Sequence, residues 1–243
     1  MNFSNQFLTL ALVLFLSMPA FAQQPSATTR SVPVSDSVMS RSMQQRITPA
    51  EALQQLVEGN RRFAGGHSMR YDYPEAVHQT AAGQYPFAVI LSCVDSRTSS
   101  EIIFDQNLGA VFNARIAGNF VNTDILGSME FACKVAGAKL ILVVGHTKCG
   151  AVKGACDHVE MGNLTSVMNE IKPAVESVRD IPGERNSSNE KFVEAVAKQN
   201  VLLAIQEIRE KSPLLKEMED KGQIMIAGGM YDLKTGMVDF NLR

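Results

Sequence analysis

Residues 140–151 read LILVVGHTKCGA. The five apolar residues at the start of this stretch predict a strand that is covered on both faces. His146 and Cys149 follow directly, and both are side chains that bind soft metal ions. A second stretch of the same design, FAVILSCVDSR at residues 87–97, places Cys93 and then a carboxylate and a guanidinium after another apolar run. The chain is therefore built around two buried strands that each end in chemically active side chains.

Working outward, the chain alternates strand and helix patterns. Thr48 is a candidate helix cap, with Pro49 in the first turn and Glu51 completing a capping box. Further strands are predicted to begin near Ala110 and near Ile224, and a short last one over residues 237–242, with helices between them. This order predicts an α/β fold with a mostly parallel central sheet of four to five strands flanked by helices. Both active stretches then lie at carboxyl ends of strands, where open α/β sheets bind ligands.

Cys93, His146 and Cys149 offer two thiolates and an imidazole, a ligand set that suits Zn²⁺. Three protein ligands leave a fourth tetrahedral position for water, which is typical of a catalytic zinc. Asp95 and Arg97 add a carboxylate and a cation beside the metal, so the set indicates chemistry on a metal-bound water. The alternative is a non-catalytic zinc-binding protein, which would need a fourth protein ligand such as Cys156 or Asp95.

Four motifs occur in order along the chain: EGNRRF at 58–63, SCVDSR at 92–97, RIAGN at 115–119 and GHTKCGA at 145–151. Together they resemble the β class of carbonic anhydrases, and the resemblance extends from Ile47 to Leu242. The resemblance implies zinc on the two cysteines and the histidine, with Asp95 and Arg97 as the catalytic dyad. It also implies reversible hydration of carbon dioxide to bicarbonate, and a homodimer or tetramer in which the first helix lies across the partner. A hydrolase of carbonyl sulfide or carbon disulfide on the same scaffold is the alternative enzyme.

The resemblance also implies substrate-binding residues. These are an amide donor and an apolar pocket, formed by Gln84, Phe112, Ala117, Phe131 and Gly150. Family members with an always-open site resemble this chain at Gln84, whereas members that close at low pH carry a tryptophan where Ile90 stands. Because of Gln84 and Ile90 we expect the open form of the site. Two other positions depart from the family, since Phe131 replaces the usual tyrosine and Ala110 replaces an acidic residue.

The first 22 residues are predicted to be a signal peptide. An apolar run from Leu8 to Met18 is too short to cross a bilayer, and Ala20-Phe21-Ala22 has the small-x-small pattern of a cleavage site. No Lys or Arg precedes the run, which leaves an uncleaved anchor or a disordered start as alternatives. Residues 23–46, rich in Ser, Thr, Gln and Pro, predict a disordered linker, and residues 47–243 a single catalytic domain. We expect a periplasmic or secreted protein, cleaved near Ala22, with no membrane segment in its mature form.

The chain has 25 acidic and 23 basic side chains, so its net charge is small. Its sequence contains no basic cluster that would indicate nucleic-acid binding. Of the four cysteines, two are assigned to the metal. The other two, Cys133 and Cys156, either form a disulfide, as export would favour, or are small buried apolar residues. The sequence leaves these two possibilities open.

Overall fold

A computed structural model describes residues 34–35 and 37–242 of the chain. Its strands are β1 Val34–Ser35, β2 Arg70–Tyr71, β3 Ala88–Ser92, β4 Val111–Arg115, β5 Leu140–His146, β6 Met225–Tyr231 and β7 Val238–Leu242. Five of them form the main sheet in the order β4-β3-β5-β6-β7, in which the first four are mutually parallel and β7 is antiparallel. A separate parallel pair joins β1 to β2. The predicted fold class is confirmed, with five strands in the sheet.

Nine α-helices of the described residues surround the sheet. They are α1 Arg41–Arg46, α2 Pro49–Ala64, α3 Tyr73–Thr80, α4 Ser100–Ile103, α5 Thr123–Glu130, α6 Gly150–Cys156, α7 Leu164–Ser177, α8 Glu190–Lys211 and α9 Pro213–Asp220. Helix α5 continues directly into a second half, Phe131–Val135, that winds as a π-helix.

The two faces of the sheet are covered by different layers, as the uninterrupted apolar strands predict. Alternate residues of β3 point to opposite faces. Val89 and Leu91 join a large cluster with residues of α7 and α8, whereas Ala88 and Ile90 join a smaller one with Leu56 of α2. Both central strands, β3 and β5, are buried along their whole length. Burial on both faces fixes the strand register and thereby the positions at which their carboxyl ends stop.

Helix α2 begins as predicted, because Thr48 and Glu51 form a reciprocal capping box. The helix packs against its own chain. Asn60 donates to the backbone oxygens of Ile103 and Gly236, and its side-chain oxygen accepts from Val238 N. The buried face of α2 therefore packs within its own chain, and the implied placement of this helix across a partner stays a prediction.

The predicted linker, residues 23–46, needs a correction at its end. Residues 41–46 form helix α1, capped by Ser40, and the Gln44 side chain is buried. Its amide donates to Pro86 O and to Ala136 O, both at 2.7 Å. A six-residue helix held by one buried amide leaves no apolar period, which is why composition alone indicated a linker. The folded part thus begins before Ile47.

The predicted signal peptide, residues 1–22, and most of the linker lie outside the described residues. Among the helices that the structure describes, none combines the length and apolar character needed to span a bilayer.

Candidate metal centre

Three candidate ligands meet at the carboxyl edge of the sheet. Cys93 directly follows β3, and His146 is the last residue of β5, the neighbouring strand. Cys149 caps α6 three residues later. The two sulfurs and a ring nitrogen of His146 all lie within 4.8 Å of one another, and all three residues are buried. The two stretches that predicted the strands are thus brought together at one point.

The loop between His146 and Cys149 is shaped by its backbone. Lys148 has φ of 56°, a left-handed conformation that non-glycine residues rarely adopt. Beyond this bend, Cys149 lies with its sulfur within 4.8 Å of the His146 ring nitrogen. Thr147 anchors the loop to β6 and the following turn, because its N–H donates to Tyr231 O and its hydroxyl accepts from Leu233 N. The loop that sets the spacing between His146 and Cys149 is therefore held by two hydrogen bonds to the end of β6 and the following turn.

The three residues fit a zinc ion. His146 Nδ1 lies 3.0 Å from Thr147 O, which can only accept, so Nδ1 carries the proton and Nε2 presents its lone pair. Nε2 is buried and has no hydrogen-bond partner in the described structure. The Cys93 and Cys149 sulfurs are 3.9 Å apart, close to the roughly 3.8 Å expected for two Zn–S bonds of about 2.3 Å at a tetrahedral angle. A buried imidazole lone pair that faces two sulfurs at this spacing is what a tetrahedral metal requires.

The surroundings also favour thiolates. Gly118 N–H donates to Cys93 Sγ at 3.4 Å. Contact with the Cys149 thiol, more than any other interaction, lowers the pKa of Cys93, and the same contact together with burial raises the pKa of Cys149. The pair therefore holds one negative charge readily, and a divalent cation would be needed to stabilise the second.

Asp95 and Arg97 form a fork beside the ligands. Arg97 Nε donates to Asp95 Oδ1 at 2.9 Å and Nη2 to Oδ2 at 2.7 Å, and the Arg97 N–H adds a third bond to Oδ1. These hydrogen bonds hold the pKa of Asp95 well below its usual range. Asp95 Oδ2 lies 4.0 Å from His146 Nε2. An ionised carboxylate is therefore fixed next to the metal ligands.

Neither Asp95 nor Cys156 belongs to the three-residue group in the described part of the chain. A closed, purely structural zinc site would need a fourth protein ligand such as one of these. The observed set is the open one.

A cavity of about 510 Å³ opens beside the fork. Its walls carry mainly charged side chains, and the lining includes Arg97, Thr147, Lys148, Lys153, Asp232 and Lys234. Arg97 and Thr147 place this cavity next to the metal loops, although none of the three candidate ligands lines it.

The predicted substrate-binding residues divide into two groups. Ala117 precedes the glycine that contacts Cys93, and Gly150 follows Cys149 with open space around its Cα. Phe112 and Phe131 form an edge-to-face pair with ring centroids 6.1 Å apart, in a separate cavity of about 540 Å³ at the β4 edge. Phe112 pairs in register with Val89, four residues before Cys93, so about 13 Å of strand separates the pair from the ligands.

Gln84 lies still farther from the centre. It lines a third cavity with Arg41 and Val135 before the start of β3, whereas Cys93 follows the end of that strand. At least the length of a five-residue strand, about 16 Å, lies between them. Within one chain, Gln84, Phe112 and Phe131 therefore do not contact the metal ligands, and their roles stay predictions.

Sequence reasoning assigned no role to several residues that support the centre. Thr98 and Arg115 hydrogen-bond the backbone of the Cys93–Asp95 segment. The buried Asn200 amide on α8 donates to Gly118 O at 2.7 Å, at the glycine whose N–H meets Cys93. For Arg115 the RIAGN motif at 115–119 was a sequence signal, since the motif lies at the end of a predicted strand. No local pattern indicated Asn200, which lies 82 positions from its partner.

Comparison with known proteins agrees with this geometry. A family model described as carbonic anhydrase matches residues 88–238. The carbonic anhydrase 2 of Mycobacterium tuberculosis is 34% identical over 197 residues, which cover 77% of this chain and 90% of that protein. Among solved structures, the Coccomyxa β-carbonic anhydrase in complex with acetazolamide has a TM-score of 0.61 at 22% identity, covering 79% of this chain and 86% of that one. A tetrameric β-carbonic anhydrase of Sordaria macrospora has a TM-score of 0.58 at 23% identity, covering 78% and 96%.

Proposed function

Since this chain belongs to the carbonic anhydrase family, with the fold of its β class, we propose that it is a zinc-dependent carbonate dehydratase, a lyase. The reaction is the reversible hydration of carbon dioxide to bicarbonate and a proton. The observation that carries the proposal is the open three-ligand group, with an ionised carboxylate 4.0 Å from its imidazole nitrogen.

Cys93, His146 and Cys149 would hold the zinc ion, and the ligand group found among the described residues contains no fourth side chain. The ion supplies Lewis acidity, which lowers the pKa of a water molecule so that hydroxide is available under mild conditions. The thiolates cancel much of the metal charge, so this effect should be smaller than with three neutral ligands. The protein must therefore contribute to orienting the water.

Asp95 is the residue placed to do so. Its carboxylate lies next to His146 Nε2 and can accept a hydrogen bond from the attacking water, directing an oxygen lone pair toward carbon dioxide. Arg97 occupies both carboxylate oxygens. This keeps Asp95 ionised and holds it away from the metal position.

The substrate roles of Gln84, Phe112 and Phe131 depend on self-association in this proposal. These residues lie away from the Cys93 of their own chain, so they would reach a metal centre only across an interface between copies. A homodimer or tetramer is therefore proposed, and the tetrameric Sordaria relative supports it. Light scattering of the purified protein tests this: a monomer with full activity would rule it out.

Export is proposed on the sequence pattern of residues 1–22. The test is mass spectrometry of the protein from the periplasmic and secreted fractions, where the first residue should be Gln23. Protein found only in the cytoplasm with Met1 intact would contradict it.

The decisive experiment is stopped-flow measurement of carbon dioxide hydration by the mature chain, with zinc quantified per chain. We expect one zinc per chain and a rate well above the buffer rate. Protein carrying stoichiometric zinc that does not accelerate hydration would overturn the proposal. Sulfide release from carbonyl sulfide, measured in parallel, distinguishes a carbonyl sulfide hydrolase from a carbonic anhydrase.

A further inference from the structure

Strand β4 ends opposite the last residue of β3, just before the segment that carries Cys93 and Asp95. Arg115 pairs in register with Ser92, the last residue of β3, and Ile116 N–H donates to Ser92 O at 3.1 Å. Beyond this point the ladder between the two strands stops, although the segment that follows β3 carries Cys93 and Asp95. Their backbone carbonyls need donors from outside the ladder.

The Arg115 guanidinium supplies those donors. Its Nε donates to Cys93 O at 3.0 Å and its Nη2 to Asp95 O at 2.6 Å. The side chain thus continues, past the end of the sheet, the pairing that the backbone makes within it. Both acceptors belong to functional residues, one a metal ligand and the other the carboxylate beside the metal.

Thr98 completes the arrangement from the other side. Its buried hydroxyl lies 3.1 Å from Cys93 O and 2.9 Å from Asp95 O, and Arg115 Nη2 lies 3.3 Å from the same hydroxyl. The Thr98 N–H also donates to Asp95 O at 3.0 Å. The Cys93 carbonyl is therefore held by side chains alone, and the Asp95 carbonyl by the same guanidinium and hydroxyl together with one backbone N–H. These contacts fix the orientation of the backbone from Cys93 to Asp95 at both of its carbonyl groups.

We propose that Arg115 is a positioning residue, which holds Cys93 and Asp95 in the relative orientation that lets one bind the metal while the other faces it. The inference rests on the proposed function. Its bonds to Cys93 and Asp95 go to backbone oxygens, so it acts through these residues and not on the reacting atoms. A planar guanidinium can engage two acceptors at once in fixed geometry, whereas an ammonium group on a flexible stem cannot. Lysine at this position should therefore fail although it keeps the charge.

The test compares Arg115→Lys with Arg209→Lys. Arg209 is a matched control because it also makes a two-pronged contact, to Glu219 at 2.8 Å on both nitrogens, between α8 and α9. The measurements are the zinc dissociation constant by chelator competition, the absorption spectrum of the cobalt(II)-substituted protein, kcat and KM, and the thermal midpoint.

For Arg115→Lys we expect zinc affinity and kcat each to fall by about 10-fold or more, as for residues that orient metal ligands, with KM nearly unchanged. The cobalt spectrum should shift, since the Cys93 sulfur changes its geometry. Thr98→Val should reproduce part of the loss and Thr98→Ser should restore it. Arg209→Lys should lower only the thermal midpoint.

Two results would overturn the inference. One is an Arg115→Lys protein with wild-type zinc affinity, cobalt spectrum and kcat. The other is a lower thermal midpoint alone, as in Arg209→Lys, with metal affinity and spectrum intact, which would assign Arg115 a merely structural role. If the unaltered chain hydrated no carbon dioxide, the proposed function would fall, while zinc affinity and the cobalt spectrum would still decide the role of Arg115.

Discussion

Asp95 and Arg97 are joined by two parallel hydrogen bonds, Nε to Oδ1 at 2.9 Å and Nη2 to Oδ2 at 2.7 Å, although only one residue separates them. The Arg97 N–H also donates to Oδ1, so the carboxylate is bound by both the backbone and the side chain of the same residue. Asp95 therefore has one orientation, set locally, and it faces the buried nitrogen of His146. The first prediction follows from this fixed orientation.

Replacing Asp95 with Asn keeps the shape of the side chain but removes an acceptor oxygen and the negative charge. Zinc content should stay near one per chain because Asp95 is not in the ligand group. The hydration rate should fall by about 100-fold, a common cost of losing a general base. Asp72→Asn is the control, since Asp72 caps α3 and asparagine also caps helices. An Asp95→Asn enzyme of wild-type rate would remove Asp95 from the reaction.

A second prediction concerns Gly118, whose φ is +84° and whose N–H contacts Cys93. In Gly118→Ala the new Cβ would overlap Cδ1 of Ile171, in a conformation that L-residues rarely adopt. Crowding and backbone strain together should cost about 2–4 kcal/mol, a fall in thermal midpoint of roughly 4–16 °C.

Two further proteins separate the causes of that loss. Gly222→Ala has a similar φ of +65° but nothing within 4 Å of its Cβ, so it should show the strain alone, about 1 kcal/mol. Adding Ile171→Val to Gly118→Ala removes the overlapping Cδ1 and should recover part of the difference. Equal thermal midpoints for the Gly118→Ala and Gly222→Ala proteins would show that crowding by Ile171 is absent.

The cysteines outside the metal group give a third prediction. Burial raises the pKa of Cys133 to about 12 and that of Cys156 to about 11, and all four cysteines are free thiols. Because a thiol reacts as its thiolate, neither of these two should react with a thiol reagent in the native protein at pH 8. After denaturation with a chelator and without reductant, four thiols should be counted. A count of two, restored to four by a reductant, would instead indicate a Cys133–Cys156 disulfide.

The fourth prediction concerns helix α1. A chain that starts at Ile47 lacks Gln44, whose buried amide donates to Pro86 O and Ala136 O. It should be less stable than a chain that starts at Ser37, and Gln44→Ala in the longer chain should account for about 1–3 kcal/mol of the loss. Chemical denaturation measures the free energy of unfolding of all three. Equal stability of the two truncated chains would restore the linker interpretation for residues 41–46.

Strand identity and the ligand set were predictable because both are local patterns. An uninterrupted apolar run such as residues 140–144 has few alternatives to a buried strand, and His146 and Cys149 follow it at fixed spacing. A parallel sheet then places both motifs at the same edge, whereas the direct pairing of β3 with β5 is seen only in the structure.

The supporting contacts were not predictable for the same reason. Arg115 and Thr98 bind backbone oxygens. Because every residue type has a backbone oxygen, the sequence contains no pattern that indicates such a contact. The sequence pattern did not predict helix α1, because this helix is held by hydrogen bonds to two distant carbonyl groups and not by an apolar face. Gln84 was placed near the metal by analogy with a family, whereas the length of β3 keeps it at the opposite end of its own sheet.

Cys93 and His146 come from neighbouring strands that are 53 positions apart in the chain, and neither strand alone holds the complete ligand set. The metal can therefore be captured with full affinity only after β3 and β5 have aligned. The time course of zinc uptake by the refolding protein therefore reports when the central sheet forms. A metal-sensitive dye can follow this uptake without any label on the polypeptide. A chain stalled before that alignment would leave the ion in solution.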